Sequence, residues 1–277
     1  MSMHIAQSSL PKAAGLPATL RRAGVAVAML AAAPAAAQTR LDVPYVPTPM
    51  EVVERMLELG EVKKTDYVID LGSGDGRIPI TAAKKYGATA LGIDLNPTRI
   101  KESKENLAKE NLGDKVEFRE ANLFKTDISK ADVLTMYLLP SVNLQLKPRI
   151  LEELRPGTRI VSHAFDMGRW TPDHEETVAS RKVMKWIVPA KAQGRWQVRD
   201  QKGAYTLSLE QQFQMLTGSA EIDGKSVAVT SGKLRGKEID LTFEMGPEGR
   251  RNLKGVVEGD TIKPADGGSA FEAKRAS

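Results

Sequence analysis

At 277 residues the chain exceeds the usual single-domain size and can bury a substantial core, so two domains are expected. The absence of cysteine excludes a disulfide framework or thiolate metal site, and His4, His163 and His174 are the only histidines, none with a partner at metal-ligand spacing. The net charge of +5 includes Lys12, Arg21 and Arg22 from a first segment that holds no acid, so the remainder is too weakly basic to suggest a nucleic-acid partner.

Residues 1–37 read as a signal peptide or N-terminal anchor. Lys12 and the Arg21-Arg22 pair precede AGVAVAMLAAAPAAA, and Ala35 and Ala37 fit a small-residue cleavage pattern before Gln38. This apolar run falls short of the roughly 20 residues that span a bilayer comfortably. The expected location is therefore exported, periplasmic or membrane-associated, and cytoplasmic if the segment is not a functional signal.

From residue 48 the pattern alternates between helix and strand. Apolar residues at helical spacing over 50–59 are followed by a strand at 68–70, a helix at 78–86 and a strand at 89–94. A charged amphipathic helix is expected at 97–111, then strands at 116–120 and 132–137, a helix at 141–154 ended by Arg155-Pro156-Gly157, and a strand at 159–163. Repeated βα units of this kind predict an α/β, Rossmann-like parallel sheet with helices on both faces over residues 38–180.

Beyond Arg181 the period becomes two. Tyr205, Leu207, Leu209, Gln211, Phe213 and Met215 fall on one face, as do Ile239, Leu241 and Phe243. Turn signals at Asp223-Gly224, Ser231-Gly232, Gly246-Pro247 and Gly259-Asp260 separate the runs. Residues 181–277 are thus expected to form a β-rich accessory domain, a small antiparallel meander or barrel with Trp186, Trp196 and Phe271 in its core.

The chemistry concentrates in YVIDLGSGDGR, residues 67–77. An apolar strand ends in Asp70, and Gly72, Gly74 and Gly76 alternate with small or polar residues before a helix. Glycine lets the turn take positive φ and lets a ligand approach bare backbone. A dinucleotide fingerprint would read G-x-G-x-x-G around a pyrophosphate; here the spacing is G-x-G-x-G with a carboxylate just ahead. That carboxylate would repel a pyrophosphate and attract an ammonium-bearing ligand such as S-adenosylmethionine. The second strand ends in Asp94, at the distance where a βαβ unit delivers an acid to a ribose.

With this order in place, VIDLGSGDGR and GIDLNP resemble the class I S-adenosylmethionine-dependent methyltransferases. Within that class, VPYVPTP, DLGSGDGRI, DLNP, NLFK and WTPDH resemble the lysine methyltransferases acting on mitochondrial ATP synthase c-subunit and adenine nucleotide translocase, with their bacterial relatives. The resemblance covers about residues 43–174 and has no counterpart for the β-rich tail. It implies that Asp70, Gly72, Ser73 and Gly74 hold the methionine part of the cofactor, Asp94 the ribose and Asn122 the adenine amino group. Asn122 stands where the family has an acid before Leu-Trp-Lys. Thr48 is expected either to cap the following helix or to touch the cofactor's carboxylate.

The loop Tyr137-Leu138-Leu139-Pro140 should border the acceptor pocket, since ligands bind beyond the carboxyl ends of strands in open α/β sheets. Tyr137 and Tyr45 are the candidate catalytic groups, as orienting partners of an acceptor amine. Trp170 either packs on the sheet or lines the pocket. Asp173-His174 is either an acid/base pair or a turn, and Asp75 is structural or cofactor-facing. The implied activity is methyl transfer to a protein lysine. A small-molecule acceptor, or a noncatalytic envelope scaffold, are the alternatives. The implied partners are a protein or small-molecule acceptor and a membrane or envelope protein reached through the β domain, with no nucleic acid.

Overall fold

A computed structural model describes residues 45–244, 249–266 and 270–276. The signal or anchor expected at 1–37 and the Gly246-Pro247 turn lie outside the described residues.

A seven-stranded sheet comes first, built from β1 (Tyr67–Leu71), β2 (Thr89–Asp94), β3 (Val116–Glu120), β4 (Val133–Met136), β5 (Arg159–His163), β6 (His174–Val178) and β7 (Arg181–Ile187). Its strand order is β3-β2-β1-β4-β5-β7-β6. β1 to β5 are parallel, and β7 runs antiparallel to both β5 and β6. α1 (Met50–Leu59) precedes β1, and α2 (Arg77–Thr81), α3 (Pro97–Glu110) and α4 (Pro140–Glu153) connect β1 to β2, β2 to β3 and β4 to β5. The segment expected to be one helix over 78–86 is α2 followed by a π-helical turn, Ala82–Tyr86, closed by Gly87 at φ 74°.

The strands are buried on both faces, so they read as near-continuous apolar runs. Val52, Val53, Met56 and Leu57 of α1 pack with Val68, Val133 and Val161 on one face. Leu146 and Ile150 of α4 pack with Ile69, Leu71, Leu134 and Met136 on the other. α3 starts where Asn96 accepts from the Thr98 amide at 2.9 Å, with Pro97 at its first position. It ends at Asn111 in the left-handed region, φ 53°.

The sheet does not end at Arg181. β7 completes it, and the change of architecture falls after Ile187. Trp186, expected in the β domain, is instead fully buried in the sheet's second core beside Trp170, its indole donating to the Trp170 carbonyl at 2.7 Å. Its apolar neighbours Val183, Met184, Ile187 and Val188 reflect burial on both faces of a sheet, which a period-of-two reading misassigns.

β8 (Gly194–Asp200), β9 (Gly203–Gln212), β10 (Met215–Ile222), β11 (Lys225–Arg235), β12 (Glu238–Glu244), β13 (Arg250–Glu258), β14 (Thr261–Pro264) and β15 (Phe271–Arg275) close into a barrel of up-and-down antiparallel strands. Closure leaves no free sheet edge. Trp196, Leu207, Leu234, Leu241 and Phe243 fill it, and Phe271 packs against this core partly buried. Asp223-Gly224 and Gly259-Asp260 are turns, as expected. Ser231-Gly232 lies inside β11 at a register shift, where the Gly232 backbone passes close to Leu216. The one-face run from Tyr205 stops at Gln212, because residues 213 and 214 are themselves the β9–β10 turn.

Gly76 carries the main steric constraint beneath the glycine-rich turn. Its φ is 83°, and a Cβ there would overlap the Phe118 ring and approach Ser103 Cβ at 2.9 Å. Gly76→Ala is expected to lower stability by about 2–4 kcal/mol, from left-handed strain plus overpacking, read as a fall in thermal midpoint. An unchanged midpoint would show that the turn relaxes freely.

Candidate active site

One cavity at the carboxyl ends of β1, β2 and β4 is lined by the nine residues expected to be catalytic or cofactor-binding: Tyr45, Thr48, Asp70, Gly72, Ser73, Gly74, Asp94, Asn122 and Tyr137. Asp70 is the penultimate residue of β1 and Asp94 the last of β2; in their parallel register Asp70 faces Gly92 and Leu71 faces Ile93, so Asp94 falls two residues beyond the partner of Asp70 at the same edge of the sheet. The amides of Gly72 and Ser73 both donate to the Ile93 carbonyl, at 2.8 and 2.9 Å, which pins the turn to the end of β2.

Asp94 is held by backbone: the Gly74 amide donates to Oδ2 at 3.0 Å and the Asn96 amide to Oδ1 at 2.8 Å. Each carboxylate oxygen retains acceptor capacity toward the cavity. Asp70 is 2% exposed and takes one side-chain hydrogen bond, from the Thr135 hydroxyl at 2.7 Å. Thr135 is its direct partner across β1 and β4. Burial pushes the Asp70 carboxyl up to about 7, the Thr135 hydroxyl opposes this, and the charges of Asp94 and Asp75 add to it.

A buried carboxylate with so little compensation suits a cationic ligand. Nearby, the Ser73 hydroxyl is buried and has no partner among the described residues. Together these groups fit the ammonium and sulfonium charges and the polar rim of S-adenosylmethionine.

Residues 45–48 cross over the glycine-rich turn. The Arg77 guanidinium donates to the Thr48 carbonyl at 2.7 Å and pairs with Asp75 at 2.6 Å. Burial works to raise the Asp75 pKa, but Arg77 outweighs it and leaves the carboxyl below its ordinary value. The Tyr45 ring rests on Gly74, where any Cβ would collide with it, and Arg99 stacks over that ring with its guanidinium carbon 4.5 Å from the centroid. Tyr45, Val46 and Pro47 thus form one wall of the cavity.

Thr48 does not cap α1. Pro49 occupies the cap position, and the Thr48 hydroxyl lies 3.1 Å from Nδ1 of His163. The His163 ring packs against Tyr137, tilted by 34° with centroids 3.9 Å apart, and Phe165 flanks Tyr137 at 6.1 Å. Burial, with a smaller contribution from the Arg181 charge, holds the His163 pKa down to about 4, so the ring is neutral at pH 7.

Asn122 turns its amide oxygen to the Phe124 amide at 2.8 Å, leaving one lone pair and its NH₂ group for a ligand. Trp170 is fully buried and packs rather than lining the cavity. Asp173 and His174 are not an acid/base pair. Asp173 accepts from the Ile187 amide at 2.9 Å, while His174 contacts Glu176 at 3.3 Å.

Arg77, Arg99, Thr135 and His163 escaped the sequence reading. Thr135 was signalled by a lone hydroxyl in the apolar strand VLTM, and Arg77 by an acid two residues before it; Arg99 and His163 carry no local signal.

The strand order with an antiparallel β7, and a glycine-rich turn set between acids at the carboxyl ends of β1 and β2, Asp70 being the last residue but one of its strand, define a class I S-adenosylmethionine-dependent methyltransferase. Residues 70–174 match the ANTKMT methyltransferase domain. The chain belongs to the family of S-adenosylmethionine-dependent methyltransferases that contains the protein-lysine N-methyltransferase of Saccharolobus islandicus: the two are 50% identical over 131 residues, 47% of this chain and 81% of that protein. The human ATP synthase c-subunit lysine N-methyltransferase is 33% identical over 135 residues, 49% of this chain and 57% of that protein. The crystal structure of an RNA methyltransferase from Salinibacter ruber, in complex with S-adenosyl-L-homocysteine, is 51% identical with a TM-score of 0.52, over 53% of this chain and 95% of that one. The barrel, from Gly194 onward, lies beyond the matched family domain.

Proposed function

We propose that the chain transfers a methyl group from S-adenosylmethionine to the side-chain amine of a protein lysine. The observation that carries this reading is the single cavity joining Asp70, the glycine-rich turn and Asp94 to Tyr137 and Tyr45. The names of the archaeal and human relatives support a lysine acceptor.

When bound, S-adenosylmethionine supplies an electrophilic methyl on a sulfonium. Asp70, Gly72, Ser73 and Gly74 would hold its methionine part, Asp94 its ribose hydroxyls and Asn122 its adenine amino group, with Thr48 on the rim. The protein's task in such a displacement is to align the nucleophile about 3–3.5 Å from the methyl and exclude water. A lysine must first lose a proton, a shift from about 10.4 to neutral that corresponds to roughly 4–5 kcal/mol. Desolvation beside Tyr137, Phe165 and Tyr45 acts in that direction. Tyr137 and Tyr45 orient the amine through their hydroxyls.

The described residues contain no helix long and apolar enough to cross a membrane. We propose, from residues 1–37, that the enzyme acts in the periplasm or at a membrane, on an envelope protein. Sequencing the mature N-terminus checks this: Gln38 supports it, and an intact Met1 in the soluble cytoplasm overturns it.

The acceptor is tested by incubating membrane and soluble fractions with methyl-labelled donor. Label that survives ribonuclease, is released by protease and appears as methyl-lysine is the expected result. The name of the Salinibacter enzyme favours a second acceptor, RNA. Ribonuclease-sensitive label would establish that reading, and label in small molecules alone would exclude both.

A further inference from the structure

We propose that the barrel is part of the acceptor-side machinery: its Phe213-Gln214 turn is a positioning element that fixes the loop between β5 and β6, and through it Tyr137. This deepens the proposed function and rests on it for the identity of the acceptor.

The turn itself is the first indication. Residues 213 and 214 join β9 to β10 with Gln212 paired to Met215, a tight hairpin whose usual occupants are glycine or asparagine. Here Phe213 sits at φ 54°, in the left-handed region, where a bulky side chain is costly and marks a local constraint. Hairpin formation does not require a phenylalanine. Its ring instead stacks on Trp170, with centroids 5.9 Å apart and planes within 13°. Gln214, also buried, donates through its amide to the Thr171 carbonyl at 2.7 Å. Lys233 of β11 lies 3.7 Å from Asp173.

These contacts all fall on residues 170–173, in the connection between His163 of β5 and His174 of β6. The same connection is held from the sheet side by α4. Asn143 donates to the carbonyls of Phe165 and Asp166 at 3.1 and 3.2 Å, and Lys147 donates to that of Met167 at 3.0 Å. Lys147 also sits 5.4 Å from the centre of the Phe213 ring, so one ammonium bridges α4, the loop and the barrel turn.

At its start the loop presents Phe165 to Tyr137, which lines the cavity. Ala164 takes φ 66° between His163 and Phe165, and the Ser162 hydroxyl donates to the Phe165 carbonyl at 2.6 Å. A continuous set of contacts therefore runs from the barrel turn through Trp170 and the loop to Phe165 and Tyr137. No residue of this set belongs to the acid and glycine cluster, so the barrel would act on acceptor alignment and leave cofactor binding alone.

Phe213→Gly separates positioning from folding, because glycine relieves the left-handed backbone while deleting the ring. In the full chain this variant should still unfold in one cooperative transition and bind S-adenosylhomocysteine within about twofold of the wild type, while amides 166–171 exchange hydrogen at least about tenfold faster. Transfer into the labelled protein fraction should fall by about tenfold or more, chiefly through a raised KM for that fraction, and Phe213→Tyr should restore it. Unchanged exchange over 166–171, unchanged transfer, or loss of S-adenosylhomocysteine affinity in parallel with transfer would each overturn the proposal. A wild type that labels no protein refutes the lysine acceptor instead, and the exchange comparison then decides the barrel's role alone.

Discussion

Asp94→Ala should abolish useful cofactor binding, weakening S-adenosylhomocysteine by at least about 100-fold in calorimetric titration. Two losses combine. The carboxylate is the proposed acceptor for both ribose hydroxyls, and hydrogen bonds to a charged group contribute about 1.5–3 kcal/mol each. It also receives the amides of Gly74 and Asn96, so truncation leaves two backbone donors unpaired and frees the glycine-rich turn. The hydrophobic clusters on both sheet faces do not depend on this side chain, and circular dichroism should be unchanged. A dissociation constant within threefold of the wild type would mean that the ribose lies elsewhere.

Asp70→Asn should reduce affinity by roughly 30- to 1,000-fold at pH 8, equivalent to about 2–4 kcal/mol for removing one partner of a buried charge interaction. The same change should leave the free protein at least as stable at that pH. Asp70 has a folded-state pKa near 7, above its unfolded value, so the folded chain holds its proton more tightly. Ionisation thus costs stability progressively as pH rises from the unfolded pKa toward 7, and a neutral amide escapes that cost. A cationic ligand reverses the balance by favouring the carboxylate. Wild-type affinity should therefore rise as pH increases from 5 to 7, by up to about tenfold per unit, with a proton released on binding, and level off above 7. Asp70→Asn should flatten this profile. A wild type with no pH dependence over that range would show that Asp70 does not meet the positive charge.

The parallel sheet was legible because buried strands and amphipathic helices write different periods, and the turn signals of αβ connections are local. Asp70, the glycines and Asp94 were legible for the same reason: a ligand-cradling turn is built from consecutive residues, so its chemistry stays contiguous in the chain. Trp186 was misplaced because an antiparallel strand inside a covered sheet and a barrel strand share their apolar content. Only the packing of its partners separates them, here Trp170 rather than Trp196.

Thr48 shows the same limit at single-residue scale. Its position before α1 suggested a cap, yet its hydroxyl reaches His163, 115 residues away. Arg99 over Tyr45 and Phe213 on Trp170 are likewise contacts between distant segments, which no local window contains.

The sequence by itself pointed to the methyl donor, because the acid, turn and acid proposed to meet it are encoded by local spacing. Tertiary structure alone decided what packs around Tyr137. Tyr137, His163, Phe165 and, through Trp170, the barrel's Phe213 come together only when strand ends, a loop and a second domain pack against one another. Dispersion and desolvation act on whichever surfaces meet in space, and the chain's order does not record those meetings.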